Sequence, residues 1–334
     1  MSWWSGRKTG LAGLPVEGRL PGFDGATGWL NAQPLEAADL RGKVVLVDFW
    51  TYTCINWLRT LGYLRAWAEK YRDQGLVVVG VHTPEFPFEK DPDNVREAAS
   101  ALRVEYPIAL DPDYAVWSAF GNRYWPAAYF ADAEGRIRHH QFGEGEYEMC
   151  ERVLQQLLRD SKGEDVPGDI VSPADVGVEA QADWTNVESP ETYLGAQQGH
   201  NFASPGGVTI NDPRTYALPA KWRLNSWGLS GNWTVESRAS VLDEAGGAIA
   251  FRFHARDVNL VLRSRTGEAV PFSVKIDGAA PGASHGVDVD EAGSGVLAQP
   301  RLYQLVRQHG PIVDRTFEIT FLQPGAEAYV FTFG

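Results

Sequence analysis

The stretch VVLVDFWTYTCINWLRTL, residues 44–61, constrains the fold more than any other part of the chain. It opens with a continuous apolar run of strand length, which is typical of a strand buried on both faces. A helical pattern follows, in which Leu58, Leu61 and Leu64 recur on one face. Cys54 lies where the strand gives way to the helix. Unpaired backbone N–H groups and the helix dipole stabilise a thiolate at that position, so the stretch predicts a nucleophilic cysteine.

Strand-like and helix-like segments continue to alternate as far as residue 160. LVVVGVHT (76–83) and YPIALD (106–111) are apolar runs typical of buried strands, and AAYFADAEGRIRHHQF (127–142) has the form of a hairpin. Residues 147–159 have the apolar stripe of an amphipathic helix. This alternation predicts an α/β domain over residues 1–160, with a largely parallel sheet and one antiparallel edge.

The second half of the chain has a different composition and pattern. Residues 161–190 are rich in Pro, Gly, Ser and acidic residues and have no sustained period, so we interpret them as a linker. Beyond residue 190, short β-like runs such as IAFRFHA, FSVKIDG and AYVFTF recur between turn residues. Many short strands at this spacing predict an antiparallel sandwich of jelly-roll type over residues 191–334.

Several phrases resemble one known family. VDFWTYTCINW resembles the thioredoxin signature, in which a buried Asp, Phe and Trp lead into WCxxC, and Trp125-Pro126 stands where thioredoxins carry a cis-proline. LRGKVVLVDFWTYTCIN, LRAWAEKY and HHQFGEGEYE look like the C-terminal thioredoxin-like region of the TlpA and DipZ branch. ETYLGAQ opens a part similar to the carbohydrate-binding-module-like domain that follows in DipZ proteins. The resemblance implies a thioredoxin-like α/β fold followed by an all-β sandwich.

The redox motif departs from the family pattern at its second cysteine. Trp57 stands where a dithiol enzyme carries its resolving sulfur, so an exchange cycle within CxxC is excluded. We therefore expect monothiol chemistry, in which Cys54 attacks a disulfide or oxidised sulfur of a protein or small-molecule client and an external thiol resolves the product. Asp48 matches the buried carboxylate of thioredoxins, and an unpaired acid there is expected to have a raised pKa. Thr51 is expected to hydrogen-bond the Cys54 sulfur.

Further residues are expected to surround the sulfur. Pro126 would leave a backbone edge on which a client strand can lie. Glu144 and Glu146 flank the turn before the last helix, where they would receive a thiol proton, repel acidic clients, or complement the helix dipole. Cys150 is a candidate resolving thiol or a packed one. The candidate substrate-binding residues, of which the aromatic ones would form a wall around the sulfur, are Tyr52, Asn56, Trp57, Trp125, Pro126, Glu144 and Glu146. Trp57 would in addition be a core residue on the first turn of the helix.

Two other functions fit the sequence. A one-cysteine peroxidase would use Thr51, which stands three residues before the cysteine as the corresponding threonine does in peroxiredoxins. Against it, Val47 replaces the proline of that family, and Pro126 stands where its arginine would align, so Arg123 or Arg59 would have to take the place of that arginine. A non-redox protein that binds a protein, sugar or metabolite on a degenerate thioredoxin fold would keep Cys54 only as an ancestral residue.

Aromatic residues in the second half leave a further choice open. Trp222, Trp227, Trp233 and Tyr193 suit either a platform that stacks on carbohydrate rings or the core of a sandwich. Carbohydrate is therefore a candidate partner of the second domain, and nothing in the sequence predicts a cofactor or a metal.

Charge and hydropathy limit the other partners. The net charge of −13 provides no basic excess that would neutralise phosphates, which argues against nucleic acid. No apolar run reaches the roughly 20 residues of a membrane span. The first 18 residues lack the apolar core of a signal peptide, and two cysteines make no disulfide framework. We therefore expect a cytoplasmic location, or a periplasmic one if a leader has been removed.

Overall fold

The computed structural model describes residues 13–163 and 166–334. Most of the N-terminal stretch considered as a signal peptide therefore lies outside the described residues. The chain divides into two compact units, residues 1–174 and residues 175–334. The boundary between them falls inside the segment that the sequence analysis interprets as a linker.

Unit 1 contains seven strands and four α-helices in its described residues. The strands are β1 (Gly18–Arg19), β2 (Gly28–Leu30), β3 (Val44–Trp50), β4 (Leu76–His82), β5 (Ile108–Leu110), β6 (Ala127–Ala131) and β7 (Arg136–Phe142). The helices are α1 (Ile55–Lys70), α2 (Pro92–Ala101), α3 (Ala115–Ala119) and α4 (Tyr147–Lys162). A 3₁₀ turn, Pro87–Lys90, lies between β4 and α2.

The strands of unit 1 form one sheet in the order β1-β7-β6-β3-β4-β5-β2. β3 pairs in parallel with β4, and β4 with β5, whereas β6, β7, β1 and β2 pair antiparallel to their neighbours. The expectation of a largely parallel sheet was therefore wrong, because the two short N-terminal strands join opposite edges in antiparallel fashion. The predicted antiparallel hairpin of β6 and β7 is present.

The central strand β3 positions the cysteine segment. All of its residues are buried, as its continuous apolar sequence predicts. Val45, Val47 and Phe49 belong to the core cluster on one face of the sheet. Since successive side chains alternate across a strand, Asp48 and Trp50 lie on the other face, where Trp50 stacks on a side chain of α1. The chain then leaves β3 and enters α1 at Ile55.

Unit 2 is an antiparallel β structure. Its strands are β8 (Thr192–Tyr193), β9 (Arg214–Tyr216), β10 (Trp227–Val235), β11 (Ser240–Leu242), β12 (Ala248–Phe253), β13 (Asp257–Ser264), β14 (Val270–Ile276), β15 (Ser294–Leu297), β16 (Arg301–Arg307), β17 (Arg315–Phe321) and β18 (Ala326–Phe333). The main path runs β15-β14-β17-β12-β10-β11-β18-β13-β16. β8 pairs with β18 and β9 with β10.

β10 connects the two parts of this network. Residues 227–230 pair with β12, whereas residues 231–233 pair with β9 and residues 233–235 with β11. The change of partner falls at Gly231, which has a φ of 88°. A Cβ atom there would lie 2.8 Å from the Cα atom of Gly247, so only glycine allows this close approach. The two parts enclose one apolar core, which gives the predicted sandwich.

Two tryptophans of unit 2 lie in that core. Trp227 and Trp233 are buried, and their indole N–H groups donate to the carbonyls of His200 and Ser230. They fill the sandwich and cannot stack on a sugar, whereas Trp222 and Tyr193 are half-buried. Of the four aromatic residues proposed to stack on a carbohydrate, only Trp222 and Tyr193 therefore have exposed surface.

Candidate active site

Cys54 is the N-cap residue of α1. Its carbonyl accepts a hydrogen bond from the backbone N–H of Leu58 at 3.0 Å, and its own N–H donates to the carbonyl of Thr51 at 3.2 Å. The side chain is partly exposed. The first turn of α1 contains no acidic residue, so no carboxylate within that turn competes for the free N–H groups. The helix start is therefore available to a thiolate at Cys54.

Trp57, on the first turn of α1, is a core residue. Its side chain is completely buried and stacks on Trp50, with ring centroids 4.2 Å apart. The indole N–H donates to Oδ2 of Asp48 at 2.8 Å. The expectation that Trp57 contacts a substrate was wrong, because its side chain has no exposed surface. The residue that replaces the resolving cysteine instead ties α1 to the buried carboxyl of β3.

Asp48 is buried and has one hydrogen-bond donor in the described residues, since its Oδ1 atom has no partner there. Burial raises the pKa of this carboxyl to about 7, although the bond from Trp57 opposes the rise. The raised pKa agrees with the sequence-based expectation. The carboxyl was expected to have no hydrogen-bond partner, but the indole N–H of Trp57 donates to it.

We predict that Asp48→Asn changes how stability depends on pH. Between the unfolded value, about 4, and the folded value, about 7, the folded state holds a proton that the unfolded state has released, so wild-type stability falls as pH rises. Above pH 7 the carboxyl is ionised in both states, so wild-type stability falls no further through this group. Urea unfolding should show the variant gaining about 2–3 kcal/mol on the wild type between pH 5 and pH 8.

Asp132→Asn is the matched control for this prediction. Burial raises the pKa of Asp132, but its hydrogen bonds from Arg136 and Arg138 outweigh that effect and hold the pKa below the ordinary value. Asp132 is thus ionised in both states at pH 5 and at pH 8, and its variant should show the same loss at both. If the stability difference between Asp48→Asn and the wild type were also the same at pH 5 and at pH 8, the raised pKa of Asp48 would be contradicted.

Thr51 does not hold the sulfur as expected. Its side chain is completely buried, and its hydroxyl makes no hydrogen bond in the part of the chain that the structure describes, so the expected bond to Cys54 is absent. Burial raises the pKa of Glu89, the carboxyl bonded to the hydroxyl of Thr53, and that bond opposes the rise. The backbone of Thr51, through its carbonyl, is what contacts Cys54.

Glu144 is paired rather than free. Its Oε1 atom lies 2.9 Å from an N–H of Arg59, on the second turn of α1, and the two side chains are 5% and 1% exposed. Burial raises the pKa of Glu144 and the Arg59 guanidinium opposes the rise. A buried, paired carboxylate cannot repel a client as a surface charge would. Glu146 is exposed and adopts a positive φ of 52° immediately before α4.

The other predicted neighbours of Cys54 differ in exposure. Tyr52 is buried and stacks on His82 at a centroid distance of 5.6 Å, so it does not form part of an exposed wall. Asn56 is half-buried on the first turn of α1. The Trp125–Pro126 peptide bond is cis, and Pro126 is buried. The half-buried Trp125 donates its indole N–H to the carbonyl of Thr83 at 3.0 Å.

Cys150 lies in α4, away from Cys54. Burial and, to a smaller extent, the charge of Glu146 raise the pKa of its thiol to about 12. α4 packs beside α1 so that Tyr147 stacks on Tyr63, with centroids 3.8 Å apart. Tyr63 follows Cys54 by nine residues, about 13 Å along the helix, and Cys150 lies almost a turn beyond Tyr147. A disulfide requires Cα atoms within about 7 Å, so the structure does not support Cys150 as the resolving thiol.

One site residue, Glu89, and one site contact escaped the sequence analysis. Arg59 was considered there only as a substitute for the peroxidase arginine, and its pairing with Glu144 was not expected. Glu89 is buried in the loop after β4 and bonds the hydroxyl of Thr53. The sequence carries no capping-box signal for it, because Phe86, three residues earlier, has no side-chain oxygen with which to cap the turn. Among the described residues no group of three or more His, Cys, Asp or Glu side chains could hold a metal, and no helix is long and apolar enough to cross a membrane.

Three features together define a thioredoxin-like module. A cysteine stands at the start of the helix that follows β3, a buried acid lies in β3, and a cis-proline directly precedes the neighbouring strand β6. Two family models match the chain: the AhpC/TSA family over residues 16–140, and the thioredoxin like C-terminal domain over residues 189–334. Together they cover most of unit 1 and most of unit 2.

The chain is similar to several known proteins, among them two relatives and one solved structure. Protein DipZ of Mycobacterium tuberculosis is 40% identical over 256 residues, which is 76% of this chain and 36% of that protein, so the match spans about a third of DipZ. The thiol-disulfide oxidoreductase YkuV of Bacillus subtilis is 32% identical, over 43% of this chain and 96% of YkuV. A solved thioredoxin-like protein in the oxidised form is 32% identical, with a TM-score of 0.40, over 43% of this chain and 96% of that one. The chain belongs to the thioredoxin-like family that includes these thiol-disulfide oxidoreductases, and the resemblance drawn from its motifs is confirmed.

Proposed function

We propose that this protein is a monothiol thioredoxin-like oxidoreductase in which Cys54 is the nucleophile. One observation supports the proposal above all others. Cys54 is partly exposed at the N-cap of α1, while the position three residues later is filled by a completely buried tryptophan. The site thus keeps the attacking sulfur and lacks the resolving one.

The reaction proceeds in two exchanges. The Cys54 thiolate attacks one sulfur of a client disulfide, forming a mixed disulfide while the other client sulfur leaves as a thiolate and takes a proton from solvent. An external thiol, as its thiolate, then attacks the client sulfur of this mixed disulfide and releases Cys54. The client sulfur ends in a disulfide with the external thiol, so electrons balance without a cofactor. Clients are disulfides of proteins or small molecules.

Several groups near Cys54 contribute to the proposed exchange. Backbone N–H groups at the start of α1 stabilise the thiolate, and Asn56 on the first turn lies where a client would pass. The segment at Trp125 and Pro126 offers the backbone edge for a client strand. Unit 2 serves to position a client or a partner, and the cytoplasmic location remains part of the proposal.

The peroxidase alternative receives less support. Thr51 does not reach the sulfur with its hydroxyl, and Arg59 is bound to Glu144 inside the protein. Neither group is placed to polarise a peroxide. The non-redox binding alternative predicts that Cys54 behaves as an ordinary thiol, so the same experiment separates it from exchange.

The proposal is tested by adding stoichiometric oxidised glutathione to the reduced full-length chain and following its intact mass. We expect one glutathionyl group on Cys54, located by a peptide map, that persists until an external thiol is added. Cys150→Ser should behave like the wild type, and Cys54→Ser should form no adduct. Absence of an adduct would refute the exchange function. Loss of two hydrogens, with both glutathione molecules released, would refute the need for an external thiol.

A further inference from the structure

The loop that follows β4, residues 83–91, contains a fully buried carboxyl. Glu89 is 1% exposed, and its Oε2 atom accepts hydrogen bonds from the backbone N–H groups of Glu85, at 2.6 Å, and Phe86, at 2.8 Å. These two bonds close the loop on itself. A buried carboxyl is expensive to place in a loop unless its acceptor sites are filled, so the arrangement needs a structural or functional explanation.

The other oxygen of Glu89 leads to the cysteine. Oε1 accepts the hydroxyl of Thr53 at 2.5 Å, and Thr53 is itself 2% exposed. Thr53 is the residue immediately before Cys54, so one carboxyl joins the loop after β4 to the segment that carries the nucleophile. The two residues are 36 positions apart in the chain, and no backbone pairing between them replaces this link in the described residues.

The loop is also held by contacts other than the bond to Thr53. The side-chain amide of Asn94 in α2 donates to the carbonyl of Phe88 at 2.8 Å. The rings of Phe86 and Phe88 stack at 5.8 Å, and Phe88 lies 6.3 Å from the ring of Tyr52 in the cysteine segment. Because the loop is fixed to α2, a bond from it can hold the cysteine segment in place.

We propose that Glu89 is a positioning residue that acts on Cys54 through Thr53. Its carboxylate, closed by three donors, fixes the N-cap segment of α1 so that the sulfur stays at the free N–H groups of the helix start. The inference rests on the proposed exchange function, because it assigns Glu89 a part in the reactivity of the same sulfur. In the described residues the carboxyl has three hydrogen-bond donors around it and no acceptor, which matches its ionised form.

Thr53→Val is the informative variant. It removes the hydroxyl at constant shape while Glu89 keeps its charge and its two backbone bonds. Glu89→Gln is less useful, because its amide oxygen can still accept the two backbone N–H groups while its NH2 group donates to the Thr53 hydroxyl, and because it would also remove a negative charge near the thiolate. Thr83→Val is the matched control, since Thr83 is also buried and donates its hydroxyl to a buried carboxylate, that of Asp111, at 3.1 Å.

Two measurements on the full-length chain test the inference: the rate of Cys54 alkylation by iodoacetamide from pH 5 to pH 10, and the rate of exchange with oxidised glutathione. For Thr53→Val we expect both rates at pH 7 to fall by about tenfold, with the midpoint of the alkylation profile moved to higher pH. Thr83→Val should lose a comparable amount of thermal stability and keep the wild-type profile. Thr53→Ser, which retains the hydroxyl, should restore it.

The outcomes separate this inference from the proposed function. Equal profiles for Thr53→Val and Thr83→Val, with a wild-type protein that exchanges, would overturn the positioning role alone. A wild-type protein that forms no mixed disulfide would overturn the proposed function, and with it the role of Glu89 in exchange. A shifted profile in Thr53→Val that Thr53→Ser restores would support the positioning role.

Discussion

Trp57→Cys is expected to make the resolution of the Cys54 adduct intramolecular. The new thiol would stand one helical turn after Cys54, at the spacing of a CxxC motif, and would attack the mixed disulfide without a second molecule. We expect resolution at least about a hundredfold faster than with millimolar external thiol, because a held neighbour acts at a high effective concentration. Stopped-flow release of glutathione, with intact mass showing the loss of two hydrogens, measures it.

Trp57→Ser is the control, since it leaves nearly the same cavity without a sulfur. Both variants lose the stack on Trp50 and the donor to Asp48, and each should be destabilised by about 3–5 kcal/mol. Only Trp57→Cys should release glutathione without added thiol. If its adduct were as persistent as that of Trp57→Ser, the third position of the motif would not face the Cys54 sulfur, and the reason given for monothiol chemistry would fail.

The sequence predicts the frame of unit 1 because that frame follows from local patterns. The apolar run of β3 and the stripe of α1 are set by residues close together in the chain, so the strand, the cysteine and the helix could all be placed in advance. The short strands β1 and β2 could not, since a strand of two or three residues has too little pattern and its direction depends on which edge it joins.

The side-chain network of the site was mostly beyond the sequence. The contact of Trp57 with Asp48 depends on how α1 lies on the sheet, and that of Arg59 with Glu144 joins residues 85 positions apart. The sequence showed that Trp57 occupies the position of the missing resolving cysteine, and it predicted a raised pKa for Asp48. It could not show that the first residue binds the second, because a tryptophan on the first turn of a helix can point to a client or to the core.

Breaking the buried pair of Arg59 and Glu144 is expected to destabilise the protein about as much as replacing Trp57. Both side chains are almost completely buried, so Arg59→Met would leave a carboxylate without its counter-charge and cost about 3–5 kcal/mol at pH 8. The pKa of Glu144 is already raised by burial and would rise further without the guanidinium. The cost should therefore shrink as pH falls towards 5, where the carboxyl takes up a proton. Urea unfolding at the two pH values measures both quantities.

Glu144→Gln gives the opposite test, because the guanidinium, which loses this carboxylate partner, cannot lose its proton between pH 5 and pH 8. Its cost should be of similar size and should not shrink at low pH. Arg152→Met is the surface control: Arg152 pairs with Glu148 at 2.6 Å, but the side chains are 48% and 65% exposed, so the change should stay within about 0.5 kcal/mol. If Arg59→Met were as mild as Arg152→Met, water would reach the pair. The turn before α4 would then not be held to α1 by a buried charge, and Glu144 would again be free to act on a client.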